Sequence, residues 1–335
     1  MMRIATWEHA GDVRSGFVQA DADGVDRVFG LPAGFTVLDL AQSGLAAALA
    51  AGEQLIAAGE SVPLSEVRLL PPIQPPAMRD FVAFEEHVEG VVKGVSGETG
   101  GVAAEWFEAP TFYFTNPHTL RATGDEIEAP SGTEAMDFEL EVAAIVGAVA
   151  GSDGSNLSPK AAHEHIFGYT ILNDWSARDL QRREMKVSLG PCKGKDFANT
   201  IGPWIVTADE FEQLHDDEGF LPISMAVSIN GAPFGQDLMS NMSWPFAELV
   251  AYASRNSRVA PGDLLGSGTA GRGCLGEIWG RNGSQTPPPL QPGDVVRMEV
   301  EGIGAIENRL IAGVELAPVP RARVRPRNRV RESAN

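Results

Sequence analysis

Short runs in which apolar and polar residues alternate open the chain. Alternation with a period of two is typical of strands with one buried face, and it predicts strands at 3–7, 16–19 and 25–29. A longer stretch at about 37–60 instead repeats leucine at helical spacing, which predicts one helix with an apolar face made of Leu38, Leu45, Leu49 and Leu55. The N-terminal segment is therefore expected to be a small α/β domain.

A proline-rich connector follows this segment. Four prolines fall within residues 71–76, and proline both lacks an amide hydrogen and restricts the residue before it to extended conformations. We therefore expect a domain boundary here, with a small N-terminal domain at 1–72 and a larger, catalytic domain at 73–320. Residues 321–335 contain six arginines, and we expect them to form a disordered tail.

The larger domain has a mostly β pattern. Apolar runs predict strands at 138–149, 168–173, 204–207, 223–229 and 295–300. Asn230-Gly231 comes after one of these runs and predicts a hairpin, because both turn residues need positive φ. Helices are expected at about 158–166, behind the cap Ser158, and at about 244–254. With 37 glycines and 23 prolines in addition, the pattern predicts a mostly β fold with some α (α+β).

Charge and composition argue against several classes of function. The first 320 residues hold 20 basic and 44 acidic side chains, a formal charge of −24, which repels phosphate backbones and argues against nucleic-acid binding. The longest apolar stretch is far shorter than the ~18 residues of a membrane span, and the N-terminus has no apolar signal core. Two cysteines cannot form a disulfide framework. We therefore expect a cytoplasmic protein without a membrane partner.

The run at 137–143 carries the first candidate chemistry. Residues two apart on a strand share a face, so Glu139 and Glu141 are predicted to lie side by side, about 7 Å apart. Adjacent carboxylates repel each other unless a cation lies between them, and oxygen ligands favour Mg²⁺, Mn²⁺ or Ca²⁺ over zinc. The alternative interpretation is the polar outer face of an edge strand.

Two further segments add acidic residues. Asp174 ends an apolar strand, and Arg178 can bind a carboxylate through two hydrogen bonds. Asp80 can complete an acidic cage, with His87 about two helical turns further along the chain. Of the six histidines we favour His87 as a general base, because it lies between this cage and a glycine-rich segment at 89–105. That segment is interpreted either as a lid over a ligand or as a disordered loop.

Two glycine-rich motifs do not predict a nucleotide site. Residues 266–271 read GSGTAG, but no helix pattern follows them, as a dinucleotide site would require. Residues 190–196 resemble a phosphate loop that is one residue short, and we interpret them as a loop that delivers Lys195 into a site. Neither Cys192 nor Cys274 has an obvious histidine partner, so we expect no cysteine nucleophile.

Five ordered blocks give the chain a resemblance to the fumarylacetoacetate hydrolase family. They are DFELEVAAIVG at 137–147, GYTILNDWSARDLQ at 168–181, GPCKGKDFANTIGPW at 190–204, APGDLLGSGTAG at 260–271 and GIGAIENRL at 302–310. Upstream, RDFVAFEEH resembles the family segment in which a metal-binding aspartate precedes the catalytic histidine by seven residues. Asp80 and His87 keep that spacing, and the resemblance covers about residues 79–316.

The resemblance implies a fold and a metal. The fold would be a mixed β-sandwich roll of the family's type, preceded by the small N-terminal α/β domain and assembled as a homodimer. The cofactor would be one divalent metal, with Mg²⁺ expected first and Mn²⁺ or Ca²⁺ as alternatives. Its ligands would be Asp80, Glu139, Glu141 and Asp174.

The resemblance also implies roles for other residues. His87 would activate water and Glu277 would orient the histidine. Arg178 would support the metal ligands, while Lys195 and Gln181 would hold an oxyanion. The substrate would contact Thr269, Met185 and Tyr113.

The implied reaction is hydrolysis of a carbon–carbon bond in a β-diketo acid such as fumarylacetoacetate or an acylpyruvate, in the catabolism of aromatic compounds. Met185 and Asn116 depart from residues that are common in the family, where tyrosine and lysine stand, and they leave the substrate open. One alternative is a 2-oxo acid decarboxylase, isomerase or hydratase with the same metal site. Another is a binding module without catalytic activity.

Overall fold

The computed structural model describes residues 1–96 and 101–325. The glycine-rich segment predicted as a lid and the arginine-rich tail each lie partly outside these residues, so both interpretations stay predictions. No helix among the described residues is long and apolar enough to cross a membrane.

The described chain contains many short strands, as the sequence predicts, and seven α-helices. The strands are β1 Arg3–His9, β2 Asp12–Ala20, β3 Asp26–Gly30, β4 Val62–Pro63, β5 Arg68–Leu70, β6 Met78–Phe81, β7 Phe112–Thr115, β8 Leu120–Arg121, β9 Glu126–Glu128, β10 Met136–Asp137, β11 Leu140–Val146, β12 Ile166–Asp174, β13 Ser176–Ala177, β14 Asn199–Thr207, β15 Ser224–Ile229, β16 Ala232–Leu238, β17 Leu264–Gly266, β18 Val295–Val300 and β19 Gly304–Ile311. The helices are α1 Val37–Ser43, α2 Leu45–Ala58, α3 Glu85–Ser96, α4 Pro159–Glu164, α5 Arg178–Met185, α6 Phe246–Ser254 and α7 Leu275–Asn282. Of these, α3, α5 and α7 were not predicted.

These strands form one large mixed sheet and two smaller ones. The large sheet has 12 strands in the order β4-β3-β2-β1-β14-β12-β11-β17-β6-β7, with β5 beside β1 and β8 beside β14. A 5-stranded sheet runs β16-β15-β18-β19-β9, and β10 pairs with β13. Strands that are distant in sequence therefore lie side by side in the large sheet, where β12, β11, β17 and β6 are neighbours.

Strands from both sides of the predicted boundary at residues 72/73 pair in one continuous sheet. β1 pairs with β14, with Arg3 opposite Val206 and Ile4 opposite Ile205. Ile4 also packs in the same core cluster as residues of β11 and β12. The division into domains at 1–72 and 73–320 stays a prediction, and any N-terminal domain would share its sheet with the rest of the chain.

The single helix predicted at 37–60 is wrong in one respect, because the segment forms two helices. α1 ends and α2 begins at Gly44, which has φ of 85°. A left-handed residue cannot continue a right-handed helix, and glycine adopts this conformation without steric cost. The leucine spacing shows the apolar face but does not reveal the break.

Two local predictions are confirmed. β15 and β16 form a hairpin through Asn230 and Gly231, whose φ angles are 52° and 77°. Helix α4 begins behind Ser158, whose hydroxyl accepts a hydrogen bond from the Ala161 amide. Both motifs depend on contacts between neighbouring residues, which explains why the sequence predicts them well.

β11 is buried on both of its faces. All seven of its residues are buried, with Val142 and Ala144 in one core cluster and Ala143 and Ile145 in another. The interpretation of this segment as an edge strand with a polar outer face is therefore wrong. A carboxylate on β11 lies inside the protein, where it needs a counter-charge or a proton.

A buried ion pair near the start of β6 and β17 stabilises the large sheet. Arg79 on β6 and Asp263 before β17 are both buried, and Arg79 Nη1 lies 2.9 Å from Asp263 Oδ2. Removing one partner leaves an uncompensated charge in the interior. The contact joins two neighbouring strands of the large sheet.

We expect Asp263→Ala to destabilise the protein by about 3 kcal/mol, because it leaves Arg79 buried without its partner. Glu299→Ala is the control, since it breaks the exposed pair with Arg297 at 3.5 Å and should cost less than about 1 kcal/mol. Urea unfolding followed by circular dichroism measures both. Equal losses for the two variants would show that the buried pair has no special role.

Candidate metal centre

Four carboxylates meet at the neighbouring strands β12, β11, β17 and β6. Glu141 lies on β11 and Glu139 just before it, Asp174 ends β12, and Asp80 lies on β6. Oxygen atoms of the four side chains all lie within 4.8 Å of one another. The pairing of Glu141 with Leu172 and of Gly266 with Asp80 fixes this convergence.

The position of Asp80 differs from the sequence prediction. Asp80 is on strand β6 and His87 is in the first turn of α3, so no continuous helix of two turns separates them. The strand carries Asp80 into the sheet, while the helix packs His87 against α7. The seven-residue spacing is thus that of a strand, a turn and a helix start.

Burial and crowding set the charge state of the four acids. Each is at most 5% exposed. Burial, with repulsion from Asp174, raises the pKa of Asp80 to about 8. Burial, with repulsion from Asp80 and Glu139, raises the pKa of Glu141 well above its usual value. The four groups cannot all carry charge without a nearby positive charge.

Two basic side chains supply part of that charge. Lys195 Nζ contacts Glu139 Oε2 and lies 2.6 Å from Asp174 Oδ2. Arg178 Nη2 lies 2.7 Å from Glu139 Oε1. Although burial raises the pKa of Glu139, the charges of Lys195 and Arg178 lower it below its usual value.

The remaining oxygens fit a hard divalent metal. Among the described residues, Asp80 Oδ1 and Asp174 Oδ1 are buried without a hydrogen-bond partner. Buried polar atoms are rarely left unsatisfied in proteins. A set of four carboxylates without histidine or thiolate is typical of Mg²⁺, Mn²⁺ or Ca²⁺ ligands. Asp80, Glu139, Glu141 and Asp174 are therefore the residues that can hold such an ion.

The glycine-rich run at 266–271 contacts these acids. A Cβ at Gly266 would lie 2.4 Å from Asp80 Oδ1, and the Gly268 amide donates to Glu141 Oε2 at 3.2 Å. Gly268 has φ of 79° and packs against the backbone of Phe81. The glycines of this run thus allow the backbone to approach the carboxylates, which a nucleotide motif would not explain.

Other predicted site residues surround the acids. The Tyr113 hydroxyl donates to Asp174 Oδ2 at 2.5 Å, and the Thr269 hydroxyl donates to Glu141 Oε1 at 3.5 Å. Gln181 Oε1 accepts from Arg178 Nη1 at 3.1 Å, so its contact is with the arginine. Met185 ends α5 with half of its surface exposed. The structure shows it in contact with none of the four acids.

His87 and Glu277 lie close together without a direct hydrogen bond. His87 Nδ1 is 3.8 Å from Glu277 Oε2. That oxygen accepts from the Arg272 amide at 2.7 Å, and the other accepts from Arg281 Nε at 3.0 Å. Both side chains are buried. A shift of less than 1 Å would bring the two groups within hydrogen-bond distance.

The expectation that neither cysteine has a histidine partner is wrong for Cys274. Its Sγ lies 3.7 Å from His87 Nδ1. The thiol is fully buried, which raises its pKa well above the usual value, so it is not poised as a nucleophile. It accepts the Glu277 amide at 3.3 Å and thus caps the start of α7. The sequence separation of 187 residues hides this contact.

Asp137 is a site residue to which the sequence analysis assigns no role. This fully buried carboxylate accepts from Arg178 Nε at 2.7 Å and from the Leu275 and Gly276 amides at 2.7 and 2.8 Å. It therefore connects Arg178, which lies beside the four carboxylates, to the start of α7, which carries Glu277. Its position two residues before Glu139, in the acidic run at 137–141, is the signal that could have identified it.

Glu184 is a second residue without a predicted role. Its carboxylate accepts the amides of Cys192, Lys193 and Gly194 at 2.9, 2.8 and 3.1 Å. These amides belong to the loop that ends in Lys195. Glu184 thus fixes the loop that brings Lys195 to the acids, and no local sequence pattern distinguishes it from a solvent-exposed helix residue.

The sequence matches a known family over most of its length. Residues 77–311 match the family model described as fumarylacetoacetate (FAA) hydrolase, C-terminal. Fumarylacetoacetase of Arabidopsis thaliana is 31% identical over 261 residues, which cover 64% of this chain and 61% of the relative. That of Bos taurus is 32% identical over 227 residues, 57% of this chain and 54% of the relative. The chain thus spans between 54% and 61% of the length of these two relatives.

Solved structures share the fold. The fumarylacetoacetate hydrolase from psychrophilic Exiguobacterium antarcticum has a TM-score of 0.67 and 25% identity, covering 93% of this chain and 100% of that chain. A maleylpyruvate hydrolase from Sphingobium sp. SYK-6, in complex with manganese(II) ion and pyruvate, has a TM-score of 0.66 and 19% identity with the same coverage. A 5-carboxymethyl-2-hydroxymuconate delta-isomerase from Mycobacterium smegmatis has a TM-score of 0.65 and 23% identity, again with 93% and 100% coverage. These similarities confirm the predicted mixed α and β fold.

We expect Glu141→Gln to abolish metal-dependent stabilisation. A metal that binds the folded protein should raise its stability by about 2.7 kcal/mol at a hundredfold excess over the dissociation constant. The variant loses a ligand charge, but its metal-free form should be at least as stable as the wild type, because a buried repulsion is removed. Thermal unfolding with and without Mn²⁺ measures both effects. The exposed Glu134→Gln is the control, and a Mn²⁺ response retained by Glu141→Gln would contradict the assignment.

Proposed function

The chain belongs to the fumarylacetoacetate hydrolase family, and on this premise we propose that it is a divalent-metal-dependent hydrolase of carbon–carbon bonds in β-diketo acids. The observation that carries the proposal is the buried cage of Asp80, Glu139, Glu141 and Asp174 near the histidine of the His87–Glu277 pair. The cage is a ligand set for a hard cation. The pair can move a proton from water.

The metal would be held by the four carboxylates, with Mg²⁺ proposed first and Mn²⁺ or Ca²⁺ as alternatives. When bound, such an ion supplies Lewis-acid stabilisation for the enolate that develops as the carbon–carbon bond breaks. A maleylpyruvate hydrolase of the same fold has manganese(II) and pyruvate in its structure, which supports a 2-oxo acid as the part of the substrate near the ion.

His87 is proposed to take the proton from water. Its Nδ1 faces Glu277 and Cys274, so Nε2 is the nitrogen left to accept the proton. Glu277 is held by Arg272 and Arg281, and its negative charge stabilises the imidazolium that forms. Burial of both groups strengthens that interaction relative to the same pair in water.

Basic and polar groups around the cage are proposed to bind the substrate. Lys195 and Gln181 would hold the developing oxyanion, which is typically worth about 3 kcal/mol per donor. Arg178 supports Glu139 directly at 2.7 Å. Tyr113, Thr269 and Met185 would contact the substrate, and the exposure of Met185 supports a contact away from the atoms of the breaking bond.

A second candidate function retains the cage and changes the reaction. The 3.8 Å between His87 Nδ1 and Glu277 Oε2 exceeds a hydrogen bond, and an isomerase, decarboxylase or hydratase of 2-oxo acids would depend less on that pair. The isomerase among the structures of similar fold is in line with this alternative. A screen of 2,4-diketo acids and 2-oxo acids with Mg²⁺ and Mn²⁺ distinguishes the reactions by their products.

Two properties of the whole protein are proposed from the family and the composition. We propose a homodimer, which sedimentation velocity tests, and a cytoplasmic role in the catabolism of aromatic compounds. The partner that the site fits is a small diketo or 2-oxo acid. A sedimentation coefficient of a monomer at micromolar concentration would contradict the first of these.

We expect His87→Ala to lower kcat for acetylpyruvate by at least about a hundredfold, because a general base contributes 10²–10⁴-fold. Mn²⁺ affinity, measured by calorimetry, should fall much less than kcat, since His87 is not among the four cage acids. His118→Ala removes an exposed histidine and should change neither value. A chelator should abolish wild-type turnover, and unchanged turnover in His87→Ala would contradict the proposed base.

We expect Gly90→Ala to reduce hydrolysis with little change in metal binding. A Cβ at Gly90 would lie 2.2 Å from Glu277 Cγ, so the glutamate must move relative to His87. A misplacement near 1 Å can cost about a hundredfold in rate. Gly101→Ala is the control, because a Cβ there meets no atom of the described residues within 4 Å. Full activity in Gly90→Ala would show that Glu277 does not orient the histidine.

A further inference from the structure

Lys195 has an unusual position for a lysine. It is 3% exposed, and its Nζ contacts Glu139 Oε2 and lies 2.6 Å from Asp174 Oδ2. Both partners are among the four acids of the cage. An ammonium group in contact with two carboxylates keeps its positive charge inside the cage.

Arg178, the other cation at the cage, contacts one acid inside the cage and one outside it. Arg178 lies 2.7 Å from Glu139 and also 2.7 Å from Asp137, which is outside the cage. Lys195, in contrast, has both of its ion-pair contacts on cage acids. Lys195 is therefore the main positive charge given to the four carboxylates by the described residues.

The contacts of Lys195 overlap with the atoms that would bind a metal. Glu139 has one oxygen on Arg178 and the other on Lys195. Asp174 has Oδ2 on Lys195 and Tyr113, while its Oδ1 has no hydrogen-bond partner in the described chain. A cation that binds Glu139 must therefore share an oxygen with the ammonium group of Lys195 or the guanidinium group of Arg178, or replace one of them.

The loop of Lys195 is held in place. Three amides at 192–194 donate to Glu184, and the Lys195 amide itself donates to the Cys192 carbonyl at 3.0 Å. These hydrogen bonds fix the backbone of the loop and thereby hold the Lys195 side chain beside Glu139 and Asp174. This geometry favours a permanent counter-charge over a surface lysine that only occasionally reaches the acids.

We propose that Lys195 is a built-in counter-cation that stabilises the metal-free cage and weakens metal binding, so that the ion exchanges. This inference rests on the metal site of the proposed function and deepens it. The ammonium group compensates Glu139 and Asp174 before a metal arrives. Once a metal is bound, the two positive charges repel each other within the cage, which raises the dissociation constant of the metal.

The test compares Lys195→Met, which removes the charge and keeps most of the length, with Lys195→Arg, which keeps the charge. Lys193→Met is the matched control, because Lys193 is two residues away and its side chain is 70% exposed. Mn²⁺ affinity is measured by calorimetry on the full chain. We expect Lys195→Met to bind Mn²⁺ at least tenfold more tightly than the wild type, with Lys195→Arg and Lys193→Met within threefold.

Thermal unfolding gives a readout independent of affinity and activity. Lys195→Met without metal should melt below the wild type, because the buried acids lose their counter-charge, and saturating Mn²⁺ should remove most of the difference. A variant that folds when Mn²⁺ is present and fails to fold when it is absent would show the same effect in stronger form. Lys195→Gln, which keeps hydrogen-bond donors without charge, is the second variant and should behave as Lys195→Met does.

The outcomes separate the inference from the proposed function. Unchanged or weaker Mn²⁺ binding in Lys195→Met and Lys195→Gln, with the wild type binding normally, would overturn the role of Lys195 and leave the metal-dependent hydrolase standing. A wild-type protein that binds neither Mn²⁺ nor Mg²⁺ would overturn the metal site and with it the proposed function. A metal-free Lys195→Met that is as stable as the wild type would contradict the counter-charge directly.

Discussion

The repulsion among four buried carboxylates is the constraint on which the site depends. Asp80, Glu139, Glu141 and Asp174 come from three strands and meet within 4.8 Å, in an interior where an isolated charge is very costly. A fold selected for stability alone would place apolar residues there. The protein instead surrounds the acids with basic side chains and backbone amides, and leaves oxygens of Asp80 and Asp174 unsatisfied.

The surrounding chain is built to tolerate this cluster. Glycine at 266 and 268 lets β17 and the following turn approach Asp80 and Glu141. The buried ion pair of Arg79 with Asp263 joins β6 to the start of β17. The apolar residues of β11 pack on both sides of the sheet. Hydrophobic burial on each face therefore holds strands together that their acidic residues would push apart.

Two hydrogen-bonded carboxylates hold the surroundings of the cage in place. Asp137 joins Arg178 to the start of α7, and Glu184 holds the loop of Lys195. Gly90 lets α3 pack closely against Glu277 on α7. The four carboxylates, their basic partners and the His87–Glu277 pair thus belong to one network, and groups in such a network influence one another more than isolated pairs do.

The sequence by itself determined the local features and the chemical type of the site. Apolar patterns predicted eight of the 19 strands of the described chain, Asn230-Gly231 predicted the hairpin, and the two glutamates at 139 and 141 indicated an acidic cluster, because these signals act between neighbouring residues. Only the tertiary structure decided the break at Gly44, the contact of Cys274 with His87 across 187 residues and the insertion of Lys195 between acids of two strands. Such contacts depend on which strands pair in the sheet, and pairing between distant segments leaves no periodic pattern in the chain.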